Sequence, residues 1–320
     1  MLGSADHYPT QSGALAALFA GFLEVSLRYN HVKGDLHPDR EVGVSTDMHR
    51  RLFTIAITSI SRLCIVRDRM LGRIGPGGVR SNADATVSRH RIQSGRNVVD
   101  TLFVTPAGRP AEAVVLICHG IGEVVERWFP VQRLLAANGV ASLVFDYSGY
   151  GRSTGRVSAL QCEQDTIAAF ELLQSLAPVH PITILGFSLG SGIAAAIVNR
   201  VPANRLVMCA SFTSFRAAAC SLGVPKRFAA AVPDIWHAAE SLRDCSVPVL
   251  VVHGEKDGLF PVRMASEIAA CCGAESELVV VPNLTHNEPF YKPRLAYWGA
   301  ILSRLVPEPQ SAAVPPPASA

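Results

Sequence analysis

Apolar and polar residues alternate from Val87 to Ile92 and again from Val98 to Val104. This is the period-two pattern of half-buried strands, and Pro106-Ala107-Gly108 follows as a turn. The rhythm then changes. Ala113 to Cys118 reads AVVLIC without a polar residue, as a strand buried on both faces does. From there, apolar runs and amphipathic stretches take turns. Helices are predicted over Glu126–Asn138, Ala159–Leu176, Leu189–Asn199, Val262–Cys272 and Pro293–Leu305. Strands are predicted over Ala141–Asp146, Ile182–Gly186, Leu206–Ala210, Val247–His253 and Glu277–Val281. A strand–helix–strand rhythm of this kind specifies a mostly parallel sheet covered by helices on both faces, wound with right-handed crossovers.

Residues 1–85 follow another pattern. They read as a mainly helical extension, with Ser12 capping one helix toward Arg28 and Thr46 or Asp47 capping another that runs to about Leu71. Gly75-Pro76-Gly77-Gly78 breaks the pattern, and the domain boundary is placed at 75–88. This divides the chain into an extension over 1–85, an α/β domain over 86–306 with a cap or lid at 211–246, and a Pro-rich tail over 307–320 expected to be disordered. Leu52 to Val66 is apolar between basic flanks, so it suits either a packed helix or a helix lying on a membrane surface. Peripheral membrane contact through residues 13–70 is carried forward as an expectation. Gly13 to Leu23 is too short to span a bilayer, and the residues before it lack the basic start of a secretory signal.

Composition narrows the class. Of the 320 residues, 49% are apolar and 17% charged, which suits a large buried core rather than a disordered chain. A net charge of +3 with no dense basic stripe argues against nucleic acid as a partner. Arg89, Arg91 and Arg96 are read as a solvated edge. The eight cysteines include no C-x-x-C pair and do not read as a disulfide framework, so no metal or redox site is expected. That usage fits a reducing compartment, and the expected location is cytoplasmic.

The chemistry starts at Gly186-Phe187-Ser188-Leu189-Gly190, between the strand ending at Gly186 and a helix of small residues. A serine on a tight strand-to-helix turn projects its Oγ above the sheet, and flanking glycines let neighbouring backbones come close. A hydroxyl needs a base to become a nucleophile. Among ten histidines, His119, His253 and His286 all lie at or just beyond strand ends. Catalytic groups on such sheets run nucleophile, acid, histidine along the chain, and His286 follows both Ser188 and a candidate acid. The turn Gly254-Glu255-Lys256-Asp257 supplies that acid: Asp257 is preferred, with Glu255 as its rival. Asp146 precedes the nucleophile and is read instead as fixing the loop Tyr147–Ser153. Oxyanion donors are expected from the backbone N–H of Leu189 and from that of Ile121 in the loop His119–Glu123.

Taken together, HGIGE at 119–123, FDYSGYGRS at 145–153, GFSLGSG at 186–192, HGEKDGLFP at 253–261 and the THN around His286 resemble the α/β-hydrolase superfamily. The likeness is to its serine aminopeptidase-like and monoacylglycerol-lipase-like branch and to small depalmitoylase-like hydrolases, over roughly residues 88–306. It implies an α/β-hydrolase fold and cofactor-free cleavage of an ester, thioester or amide in a small-molecule acyl substrate. Val124 departs from lipase relatives of this branch, which often carry a second His there. The segment 211–246 is apolar through Phe212, Phe215, Leu222, Phe228, Val232, Ile235 and Trp236. An apolar lid suits an acyl chain, but ordinary packing on the sheet would give the same composition. Asp234 and Glu240 are the acidic residues there that could hold a substrate ammonium. A carboxylesterase or thioesterase is therefore preferred to an aminopeptidase-like amide hydrolase. A non-catalytic binding protein of the same fold stands as the reading of another class.

Overall fold

The computed structural model describes Thr54, Ile57 and residues 79–306 except 274, 292 and 294. The predicted first helix, the Gly72–Gly78 break and the tail over 307–320 lie outside the described residues. Of the second predicted helix, Thr54 and Ile57 are described; both are helical, and Ile57 is buried in the main core cluster.

Eight strands form one sheet. In chain order they are β1 (Ala85–Ser94), β2 (Asn97–Pro106), β3 (Ala113–Cys118), β4 (Val140–Phe145), β5 (Ile182–Phe187), β6 (Arg205–Cys209), β7 (Val249–Gly254) and β8 (Ser276–Val281). Their spatial order is β1-β2-β4-β3-β5-β6-β7-β8. The alternating strands β1 and β2 pair antiparallel, and β2 joins β4 antiparallel; the remaining pairs are parallel. Every residue of β4, β5 and β7 is buried, as expected of strands with helices on both faces.

Helices α1 (Val125–Ala137) and α8 (Leu295–Leu305) bury their apolar stripes against one face of the sheet. On the other face lie α2 (Ala159–Leu176), α3 (Leu189–Ile197) and α6 (Val262–Cys271). Between β6 and β7 the chain forms two short helices, α4 (Phe215–Ser221) and α5 (Ala238–Arg243), which join the same core cluster through Phe215, Ala218, Ala238 and Leu242, as does Trp236 between them. A one-turn helix, α7 (Glu288–Tyr291), follows His286 and is absent from the sequence-based expectation. Predicted α3 also ends early: Val198–Arg200 tightens into a 3-10 turn.

Strand order positions the site. The connection from β3 leads outward to β4, whereas the connection from β4 returns past β3 to β5. The winding therefore reverses between β3 and β5, and in an open α/β sheet the crevice beyond the carboxyl ends at that point is where ligands bind. The β3 end carries the His119–Glu123 loop, and the β5 end carries Ser188.

One sequence reading is corrected. Arg91 and Arg96 are exposed, but Arg89 is only partly so. Its guanidinium pairs with Asp100 on β2 and with Glu126 on α1. In the β1–β2 hairpin Arg89 lies opposite Leu102, next to β2's single buried carboxylate, Asp100, and long-range pairing of this kind leaves no mark in local periodicity.

Candidate active site

Ser188 stands between β5 and α3 with φ 51° and ψ −117°. This left-handed backbone is rare for a residue with a Cβ and costs about 1–3 kcal/mol, so the surroundings must impose it. They do so from both sides. The Ser188 N–H donates to the Cys209 carbonyl at 2.9 Å, tying the turn to β6. The Ser188 carbonyl accepts from the Ser191 N–H at 2.9 Å and from the Ser191 hydroxyl at 2.7 Å. The flanking glycines are required by close approach. A Cβ on Gly186 would stand 2.5 Å from the Gly190 carbonyl oxygen, and one on Gly190 would stand 1.9 Å from the Cys118 carbonyl oxygen.

The structure brings the three predicted side chains together. His286 Nε2 lies 3.1 Å from Ser188 Oγ, and His286 Nδ1 lies 2.7 Å from Asp257 Oδ2. The Asp257 carboxylate can only accept, so Nδ1 carries the proton and Nε2 presents its lone pair to the serine hydroxyl. Oδ1 of Asp257 accepts the N–H groups of Leu259 and Phe260 at 2.8 and 2.9 Å. Burial alone would push this carboxyl up. The charge of His286, its hydrogen bond and the Phe260 N–H outweigh burial and hold it below the usual carboxylate value. Glu255 turns away: it is exposed, and its carboxylate accepts the Asn283 N–H at 2.8 Å. The His286 ring is held between Phe187 and Phe260, each with its ring centroid 5.3 Å away.

One candidate oxyanion donor adjoins the serine in the chain, and the other lies on the loop whose first carbonyls, those of Cys118 and His119, crowd Gly190. Leu189 opens α3, and Ile121 sits in the loop after β3; among the described residues neither backbone N–H donates to a backbone carbonyl outside its own element. The loop is braced from beneath. Buried Glu123 accepts the Gly120 N–H and the Trp128 indole N–H, each at 2.8 Å. The Tyr147 hydroxyl donates to the His119 carbonyl at 3.3 Å. His119 is fully buried, its Nδ1–H donates to the Gly120 carbonyl at 2.8 Å, and burial lowers its pKa to about 4. Asp146 ties the neighbouring loop to α1: its carboxylate accepts the Val125 N–H at 2.9 Å and the Arg152 N–H at 3.1 Å, and burial pushes its pKa up to about 7.

Two residues outside the triad bear on the site: Phe260, which the sequence reading does not single out, and His253, which it weighs as a base and passes over. Phe260 contributes its N–H to Asp257 and its ring to His286. Buried His253 lies with Nε2 3.5 Å from Asp257 Oδ2. The available signal was the four-residue step from His253 to Asp257, which places both on one turn.

The strained serine turn, the winding and the sheet define a hydrolase of the α/β-hydrolase superfamily, and the chain belongs to it. Residues 109–220 match the hydrolase family described as serine aminopeptidase, S33. The uncharacterized protein Rv2307c of Mycobacterium tuberculosis is 30% identical over 203 residues, covering 62% of this chain and 70% of that protein. The lysophosphatidylserine lipase ABHD12 of Macaca fascicularis is 24% identical over 232 residues, covering 65% of this chain and 58% of the lipase. Among solved structures, a soluble variant of monoglyceride lipase from Saccharomyces cerevisiae shares the fold with a TM-score of 0.56 at 15% identity, covering 72% of this chain and 96% of that one. Among the described residues no helix is long and apolar enough to cross a membrane.

Proposed function

We propose that the protein is a serine hydrolase that cleaves an ester or thioester through an acyl-enzyme. The observation that carries this reading is the unbroken chain of contacts from the Asp257 carboxylate through His286 to the hydroxyl of a backbone-strained Ser188. In this scheme His286 Nε2 takes the Ser188 proton as Oγ attacks the acyl carbon. Asp257 stabilises the imidazolium and stays ionised. The N–H groups of Leu189 and Ile121 receive the oxyanion of the tetrahedral intermediate, a contribution of about 2.7–4 kcal/mol per donor. His286 then protonates the leaving oxygen or sulfur, and water releases the acyl group by the same route in reverse. No cofactor takes part in this chemistry.

Ester or thioester is favoured over amide by the state of the acidic residues near the lid. Asp234 is paired with Arg216 at 2.6 Å and with His237 at 3.0 Å, so its charge is already matched. Glu240 is exposed on α5. Asp234 is therefore not left as an anchor for a substrate ammonium. Two similar proteins are lipases by name, which also favours an acyl ester. The non-catalytic reading is disfavoured by a complete set of three groups in contact.

The test has two parts. Ser188→Ala is expected to abolish fluorophosphonate labelling and turnover of p-nitrophenyl esters; labelling that persists would move the nucleophile elsewhere. In a panel of esters, thioesters and aminoacyl amides of graded chain length, the amides are expected to be the poorest substrates, and a preference for them would reverse the assignment.

A further inference from the structure

We infer that His253 is a positioning residue of this site, which helps hold the Asp257 carboxylate in register with His286. The inference rests on the proposed triad and extends it by one residue. His253 ends β7 and is fully buried. Its Nε2 lies 3.0 Å from the Phe260 carbonyl oxygen and 3.5 Å from Asp257 Oδ2. A carbonyl only accepts, so Nε2 carries the proton and donates it to Phe260; the same nitrogen stands 3.5 Å from Asp257 Oδ2, an electrostatic contact with the oxygen already bound to His286.

The ring is fixed as a neutral donor. Its Nδ1 is buried and has no hydrogen-bond partner among the described residues. A second proton there would create a buried, unpaired N–H, which is costly. Desolvation accordingly lowers the His253 pKa, outweighing the Phe260 carbonyl and the Asp257 charge. Asp257 and His286 are the ionisable groups that act on the ring. A neutral imidazole can orient the carboxylate without competing with His286 for its negative charge. The same side chain fixes the Phe260 carbonyl, while the Phe260 N–H binds Asp257 Oδ1 and its ring packs on His286. One N–H therefore steadies three parts of the site: the acid, the turn that holds it and the ring beside the base.

His253→Gln and His253→Asn carry the same amide, but only Gln is long enough to place a donor where Nε2 stands. For His253→Asn, kcat for an ester substrate is expected to fall about tenfold with KM nearly unchanged, from loss of the hydrogen bond that anchors the Phe260 carbonyl and of the N–H dipole beside the Asp257 carboxylate. The acid limb of the kcat/KM profile is expected to move to higher pH, because a carboxylate without the His253 N–H dipole beside it leaves more of its charge to the His286 imidazolium. His253→Gln is expected to restore both, and His253→Leu replaces the Asn variant if thermal unfolding shows that variant unfolded. The inference is overturned if the short variant keeps wild-type kcat and profile, if Gln is as impaired as Asn, or if kcat falls only in step with stability while the acid limb stays in place. Ser188→Ala assayed alongside separates the two levels. Turnover in that variant removes the triad itself, whereas loss of turnover there with a normal His253→Asn enzyme removes only the role of His253.

Discussion

Replacing Gly190 by alanine tests how the oxyanion loop and the serine turn depend on each other. The added Cβ would stand 1.9 Å from the Cys118 carbonyl oxygen and 2.7 Å from that of His119, with no flexible side chain between them. Real Cβ atoms do not approach other atoms closer than 3.0 Å, so from 1.9 Å the two backbones must separate by at least 1.1 Å. Cys118 and His119 are the last residue of β3 and the first of the loop that carries Ile121; Gly190 follows the N–H of Leu189. The separation thus falls between the two candidate oxyanion donors. A misplacement of about 1 Å costs roughly 100-fold in rate, in line with the 10²–10³ lost when one donor is removed. Forcing a methyl group into a packed site also costs about 1–3 kcal/mol of stability, or roughly 2–12 °C in the unfolding midpoint of a domain this size, at about 2–4 °C per kcal/mol. Steady-state kinetics on a p-nitrophenyl ester, read beside thermal unfolding, measure both. Gly299→Ala on α8, where a Cβ meets nothing within 4 Å, serves as the control and is expected to keep its activity. A Gly190→Ala enzyme that folds and retains kcat within a factor of three of wild type would refute the argument that this contact sets the oxyanion geometry.

Asp257→Asn is expected to lower kcat by about 10⁴ while the fold survives, and Glu255→Gln to leave it near wild type; the reverse result in the same ester assay would exchange the two acids. Buried His119 and Asp146, whose Nε2 and Oδ1 lie 4.0 Å apart, should bend the pH dependence of stability in opposite directions. With its pKa lowered to about 4, His119 binds fewer protons folded than unfolded, so its contribution is present above the free value near 6.5 and is lost as pH falls toward 4. Asp146, raised to about 7, binds more protons folded, so its contribution is present below the free value near 3.8 and is lost as pH rises toward 7. Urea unfolding between pH 4 and 7 should therefore show stability climbing more steeply with pH in Asp146→Asn, and declining with pH in His119→Asn. Parallel curves for the two variants would contradict the opposed signs.

Much of the fold was readable because its signals are local. AVVLIC carries no polar residue and ITILGF only Thr183, the near-continuous apolar run of a strand buried on both faces. The glycines at 186 and 190 are demanded by contacts of the backbone with its near surroundings, so the serine turn is marked in five consecutive residues. The order Ser188, Asp257, His286 follows from winding, which fixes which strand ends come last. What escaped the sequence depends on distance across the sheet. Arg89 looked like one of three solvated arginines; its partners Asp100 and Glu126 lie 11 and 37 residues away and meet it only when β2 and α1 are in place.

The acid shows most clearly where sequence stops deciding. Glu255 and Asp257 share a turn, a charge type and a place after β7, and no rule of composition separates them. Hydrogen-bond supply does. The turn directs two backbone N–H groups, those of Leu259 and Phe260, at Asp257, while the Asn283 N–H draws Glu255 outward. A carboxylate that must stay ionised while buried needs such donors, and an exposed one does not. His253 and Phe260 belong to the same supply, since the carbonyl that accepts from His253 and the N–H that reaches Asp257 come from one residue. The choice of acid is thus made by the peptide groups of residues 259 and 260 rather than by the two side chains that compete for it, and the acid can be moved only by rebuilding that turn.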